Sequence, residues 1–244
     1  MRYLGGKSQS GTYQRIINLI PPHEVYVEPF LGGGAIARLK RPALLSYGVD
    51  LAPPEMTLDV PGMSVVRGCG MAFMEGFRWR GVEFVYCDPP YMWETRRSRH
   101  RYPWEFVNRD HRRLLRIVRW LSELGVKVMV SGYATKLYDR ELAGWNREEF
   151  QVWTRGHTPA TEVLWFNYER PEVLHDLRYV GRDYRERLRI KRKQARWRAR
   201  FERLPVLERA VLFAALVEAM GEGASHSVGI DAAAGGAIGA VALE

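Results

Sequence analysis

Val25-Tyr26-Val27-Glu28-Pro29-Phe30-Leu31-Gly32-Gly33-Gly34-Ala35-Ile36-Ala37-Arg38-Leu39 is the stretch whose reading decides the fold. Its first three residues read as a short buried strand, and Ala35 to Leu39 carry apolar residues at helical spacing. Three glycines between strand and helix let the backbone approach a ligand that side chains would hold away. The helix start exposed by that loop favours a negatively charged group such as a carboxylate. A second apolar run, Ala43, Leu44, Leu45 and Val49, ends at Asp50. Nucleotide-binding sheets place the acid that grips ribose hydroxyls about 20 residues beyond the glycine loop. Gly32-x-Gly34-x-x-Ala37 also fits the dinucleotide fingerprint, so this stretch alone leaves a nicotinamide cofactor open.

Working outward, Val82, Phe84, Val85 and Tyr86 lead into Cys87-Asp88-Pro89-Pro90-Tyr91. Neither proline can continue a sheet ladder, so the strand must end there. As structure the segment is an ordinary strand-to-loop turn. As chemistry it is a carboxylate, a backbone carbonyl and a flat ring held together. The amino nitrogen of adenine is a weak nucleophile because its lone pair is shared with the ring. Hydrogen bonds from its two N–H groups to the Asp88 carboxylate and the Pro89 carbonyl would free that pair. Tyr91 could stack on a base that has left the duplex.

Arg2-Tyr3-Leu4-Gly5-Gly6-Lys7 opens the chain. Gly-Gly-Lys, then Glu-Pro-Phe-x-Gly-x-Gly, then Asp-Pro-Pro-Tyr, in this order, resemble the Dam-like, D12 class adenine-N6 DNA methyltransferases. The resemblance runs from Met1 to Tyr168. It implies S-adenosylmethionine as methyl donor and a mostly parallel, seven-stranded, Rossmann-like sheet. It also implies that Lys7, with Tyr3 nearby, meets the cofactor's methionyl carboxylate. Glu28, Phe30, Gly32 and Gly34 would line the methionine end, Asp50 would hold the ribose, and Asp88 would lie between donor and target. Asp88, Pro89 and Tyr91 would hold the target adenine. Lys127 to Tyr133 and Thr161 to Tyr168 look like later strands of the same family, and as plain core strands they need no function.

The chain departs from the family pattern in three places. The acid often found before the catalytic segment is missing from Val65 to Phe73, and the first carboxylate there is Glu75. Asp50 is followed by Leu51-Ala52-Pro53-Pro54 instead of a helical continuation. Only 38 positions separate Asp50 from Asp88, room for a helix and a strand but not for an inserted DNA-reading domain.

Target reading must then come from elsewhere. Met92 to Trp104 is a basic loop interleaved with aromatics, and Arg96, Arg97, Arg99 and Arg101 suit phosphates and guanine edges. From Arg182 to Arg203 eleven Lys or Arg face three acids, so this stretch carries +8 of the chain's +9. Ile190, Trp197, Phe201 and Leu204 share one face, predicting a helix docked on protein with Lys191, Arg192, Lys193 and Arg196 turned to phosphates. After Pro205 a second helix completes a C-terminal basic helical hairpin.

A pI of 9.7 fits a polyanionic partner, and DNA is the expected one. Two cysteines without a metal-ligand pattern point to a reducing cytoplasm and no metal. Cys87 reads as a core strand residue. No membrane span and no obligate protein partner are expected.

Helices are predicted over 11–20, 34–39, 71–76, 110–124, 183–203 and 206–220, and strands over 25–29, 44–49, 82–87, 126–131, 149–155 and 162–168. Strands alternating with helices imply a parallel α/β sheet with its ligands at the strands' carboxyl ends. The domains expected are a catalytic one over 1–181, the hairpin over 182–222 and a flexible tail over 223–244.

The nearest enzymatic alternative is methylation of cytosine N4 or of a base in RNA, which uses a similar segment. A DNA-binding module without catalysis is the alternative from another class.

Overall fold

The computed structural model describes residues 7–8, 11–53, 56–95, 105–153 and 159–220. The chain divides into two compact units, Met1–Tyr184 and Arg185–Glu244.

The first unit is built on seven strands: β1 (Val25–Glu28), β2 (Leu45–Asp50), β3 (Met63–Arg67), β4 (Glu83–Cys87), β5 (Lys127–Gly132), β6 (Asn146–Trp153) and β7 (Pro159–Phe166). Their order across the sheet is β3-β2-β1-β4-β5-β7-β6. β1 pairs in parallel with both β2 and β4, placing Val27 opposite Tyr47 on one side and Val85 on the other. β7 runs antiparallel to β5 and β6. This is the mostly parallel Rossmann-like sheet that the resemblance implies. The strand order reverses between β1 and β4, and in open α/β sheets ligands bind in the crevice at that switch point.

Side-chain alternation explains why both faces are covered. Val25 and Val27 of β1 join Val85 and Cys87 of β4 in one core, under α3 (Gly70–Gly76), α4 (Asn108–Glu123) and α5 (Lys136–Glu141). Tyr26, Phe84 and Tyr86 point the other way and pack with α1 (Thr12–Ile17) and α2 (Ala35–Leu39). α4 is the longest helix of this unit and buries Leu114, Leu115, Val118 and Leu121 along one stripe.

Several elements differ from expectation. α1 stops at Ile17, and Leu19 and Ile20 close tight turns onto Ile16 and Ile17. Pro21 disfavours helical backbone in the residue before it, which accounts for the early end. β3 is a short edge strand with no fully buried position and α5 is short and mostly polar, and neither was predicted. The late strands lie three residues earlier than predicted at their starts and form one antiparallel ladder, which the alternation of strands and helices did not foresee. As the prolines suggest, Leu51 to Pro53 continue as loop, and the Ala52 N–H donates to Asp50 Oδ1 at 3.0 Å.

The second unit holds α6 (Tyr184–Glu202), whose first residue is the last of the first unit, and α7 (Val206–Met220). Both predicted helices are present, but none of their residues is buried. Along the predicted stripe Ile190, Phe201 and Leu204 are half-buried, while Trp197 is 61% exposed, with the Arg200 guanidinium 5.8 Å from its ring centre. A helix this dense in cations is stable mainly as a solvated one. The tail over 223–244 lies outside the described residues.

Candidate active site

The carboxyl ends of β1, β2 and β4 stand side by side and each ends near an acid. β1 ends in Glu28, β2 in Asp50, and Asp88 directly follows β4. Burial keeps most positions of these strands apolar, and their acids appear together at the carboxyl rim.

Glu28 is 3% exposed and accepts a hydrogen bond from the Tyr26 hydroxyl at 2.8 Å. Burial pushes its carboxyl up to about 8, with the nearby Asp88 adding to the rise. Phe30 packs edge-on against Phe106, ring centres 5.5 Å apart. The Gly32 N–H donates to Asp50 Oδ2 at 2.9 Å, so the ribose-acid candidate also braces the glycine loop. Gly34 has φ +63, and a Cβ there would meet Leu58 Cδ1 at 2.8 Å. That position needs glycine for its backbone, and a side chain there would have to displace the Leu58 methyl. α2, which follows, has only five residues, too short to offer the strong helix-end field anticipated from the sequence.

Asp88 keeps 19% of its side-chain surface open. Its Oδ1 takes two anchors, Lys7 Nζ at 3.0 Å and the Ser131 hydroxyl at 2.9 Å. Burial raises the Asp88 carboxyl above the ordinary range, the Lys7 ammonium pulls it back, and Glu162 raises it again. Lys7 Nζ also donates to Glu162 Oε1 and to the Tyr91 hydroxyl, and that hydroxyl donates to Glu162 Oε1. Burial works against the Lys7 charge, but Asp88 and Glu162 outweigh it and hold the ammonium firmly protonated. The Tyr91 ring stands edge-on to Tyr133, centres 4.7 Å apart. Pro89, Tyr91, Met92, Gly132, Tyr133 and Tyr138 line a small recess beside Asp88.

Of the predicted site residues, Lys7, Glu28, Phe30, Gly32, Gly34, Asp50, Asp88, Pro89 and Tyr91 fall at this end of the sheet. Lys7 reaches Asp88 and Glu162. Tyr3, Arg96, Arg97, Arg99 and Arg101 lie outside the described residues. Lys191, Arg192, Lys193 and Arg196 are exposed on α6 in the second unit. Glu75, the first carboxylate after β3, pairs with Arg113 of α4 at 2.5 Å on the surface, away from the rim. Cys87 is fully buried, and burial pushes its thiol up, as befits a core residue.

Sequence reasoning missed Ser131 and Glu162. The first lies in a small-residue strand end and the second in a strand read as plain core. A buried carboxylate preceding the apolar run Val163 to Phe166 was the available signal, since an unpaired one is costly.

Residues 76–154 match the family model of D12 class N6 adenine-specific DNA methyltransferases. That span contains Asp88 to Tyr91 and the strand carrying Ser131. Among solved structures, the precorrin 8W decarboxylase of Methanobacterium thermoautotrophicum is similar at 11% identity, covering 67% of this chain and 91% of that one, with a TM-score of 0.44. A putative methyltransferase from Streptococcus mutans in complex with SAH is 10% identical over 63% of this chain and 94% of that one, TM-score 0.38. Magnesium protoporphyrin IX methyltransferase from Synechocystis PCC 6803 with bound SAM is 13% identical over 60% of this chain and 70% of that one, TM-score 0.36. No match was found among curated proteins.

Proposed function

We propose that this chain transfers a methyl group from S-adenosylmethionine to N6 of adenine in DNA, acting on a base flipped from the duplex. The observation that carries this reading is Asp88-Pro89-Pro90-Tyr91 at the switch point, with Asp88 Oδ1 anchored by Lys7 and Ser131. Anchoring one oxygen turns the other, Oδ2, towards an incoming N–H, and the Pro89 carbonyl accepts the second. Tyr91 and Tyr133 give the recess two aromatic walls suited to a base. The family match over this segment supports the same chemistry.

The residues present fit the donor. That cofactor supplies, when bound, an electrophilic methyl group on a cationic sulfur. Glu28 and Asp88 on adjacent strands suit a cation, and a fixed carboxylate favours positive charge developing on nitrogen. The side-chain-free loop from Gly32 to Gly34 gives backbone access, and Asp50 ends β2 where a ribose acid belongs. Lys191, Arg192, Lys193 and Arg196 supply phosphate contacts in this reading, joined by the arginines that follow Tyr91 in sequence.

Labelling tests it. The chain is incubated with a tritiated methyl donor and either DNA or RNA, and the digested nucleosides are separated. Label in N6-methyladenine from DNA is expected. Label only in N4-methylcytosine or in RNA nucleosides reassigns the substrate. No transfer, together with no donor binding by calorimetry, leaves a DNA-binding module and overturns the enzyme.

A further inference from the structure

We infer that Glu162 is a positioning residue: it holds the Lys7 ammonium and the Tyr91 hydroxyl in one buried cluster, and through Lys7 it sets the Asp88 carboxylate. The inference rests on the proposed methyl transfer for its purpose but not for its geometry.

The geometry comes from strand direction. β7 is the strand that runs against β5, with Val163 opposite Gly132. Reversal brings the start of β7, not its end, to the rim where β4 and β5 finish, so Glu162 arrives beside Asp88 and Tyr91. Its side chain is 4% exposed, and its Oε1 accepts from Lys7, 155 positions away, and from Tyr91, 71 positions away.

An ammonium has three N–H donors. Those of Lys7 go to Asp88, Glu162 and Tyr91, so the cluster uses the whole donor set. A core strand does not need this arrangement. Replacing buried ions by apolar groups of similar volume is often neutral or stabilising, so a purely structural role is a poor reason for two acids and a lysine at one spot. One ammonium serving two carboxylates leaves the cluster short of positive charge, on the side where a cationic donor is proposed to sit. Without Glu162, Lys7 has Asp88 as its only carboxylate partner in the cluster, and the Tyr91 ring loses the acceptor that fixes its tilt.

The first measurement needs no ligand. The Nζ resonance of Lys7, in protein labelled with ¹⁵N at lysine, is expected to persist at neutral pH in the wild type because three acceptors shield its protons from exchange. It should broaden in Glu162→Gln and vanish in Glu162→Ala. The second measurement is kinetic. Glu162→Gln should lower kcat about tenfold or more while KM for the donor moves less than about threefold.

The acid limb of kcat should also shift to lower pH, because a negative neighbour of Asp88 has gone. Among the described residues, Lys7, Glu162, Glu28, Tyr86, Tyr91 and Cys87 are the charged or titratable groups that interact with Asp88. The tyrosines and the cysteine stay neutral over this range. Glu28 is held constant by repeating the comparison in a Glu28→Gln background.

A Lys7 resonance that survives in both variants overturns the inference. So does a loss of activity that merely tracks a lower melting temperature with an unmoved pH limb. If the wild type methylates no nucleic acid, the proposed function fails while the resonance still decides the role of Glu162. Glu162→Gln is nearly isosteric and keeps the test open should Glu162→Ala not fold.

Discussion

Two groups of buried ionisable side chains lie at opposite ends of one sheet, and they are built on opposite rules. At the carboxyl end, Lys7, Asp88, Glu162 and Tyr91 come from four distant segments and bond side chain to side chain. At the amino end, just before β1, His23 stacks on His175 with ring centres 3.9 Å apart, and Lys40 Nζ lies 3.5 Å from His23 Nε2. There the bases also reach backbone carbonyls, Lys40 and His175 that of Arg41 and His23 that of Pro21. Burial pulls Lys40 down to about 7 and His175 to about 4, and His23 falls well below its ordinary value for the same reason. The amino end thus weakens the charge on its buried bases and ties loops together, whereas the carboxyl end keeps its ammonium charged. Charge retained under burial beside a recess at the strand ends marks a candidate functional site.

The largest expected contrast is in activity. Asp88→Ala should lower methyl transfer by about a thousandfold, the scale of losing one preorganised polar group at the reacting centre, with donor binding still detectable by calorimetry. Lys40→Met should leave the rate within about twofold. Nearly full activity in Asp88→Ala, or an equal loss in both variants, would end the distinction between a working end and a structural end.

The next contrast is in stability, and its sign differs at the two ends. A base whose folded pKa is depressed contributes stability that is lost as pH falls. Lys40 therefore weakens the fold as pH falls from its unfolded value of 10.5 to about 7, and His175 does so from 6.5 to about 4. An acid whose folded pKa is raised behaves oppositely. Glu28 weakens the fold as pH rises from 4.5 through about 8. Lys40→Met is expected to raise the melting temperature at pH 6 and to have no such benefit near pH 10.5. Glu28→Gln should raise it at pH 9 and leave it unchanged at pH 4. Calorimetric melting across this range checks both, and a Lys40→Met gain that grows with pH would contradict the assignment of the amino end.

Sequence legibility followed the same division. Strand β1, the glycine loop and the Asp88 segment were readable because local pattern dictates them: apolar until the rim, then residues with no structural use there. Asp50 was placed by its distance from the loop. Ser131 and Glu162 were not readable, because they matter only once β5 and an antiparallel β7 bring them to the same rim. Met63–Arg67 was not predicted as a strand, and it lies at the sheet edge with no fully buried position. On α6 helical spacing correctly told the helix and which residues share a side, but spacing does not say what covers that side.

The smallest effect is also the sharpest test of Glu28. With its carboxyl pushed up to about 8, it holds its proton at pH 7 in the ligand-free protein. A sulfonium placed beside it would favour the charged form, so donor binding at pH 7 should release a fraction of one proton. At pH 9, where Glu28 has already ionised, the release should fall towards zero. Calorimetry in two buffers of different ionisation enthalpy measures it directly, and Glu28→Gln should abolish it. Proton uptake at pH 7, or release unaffected by Glu28→Gln, would mean that this acid does not face the cation and belongs with the structural groups of the amino end.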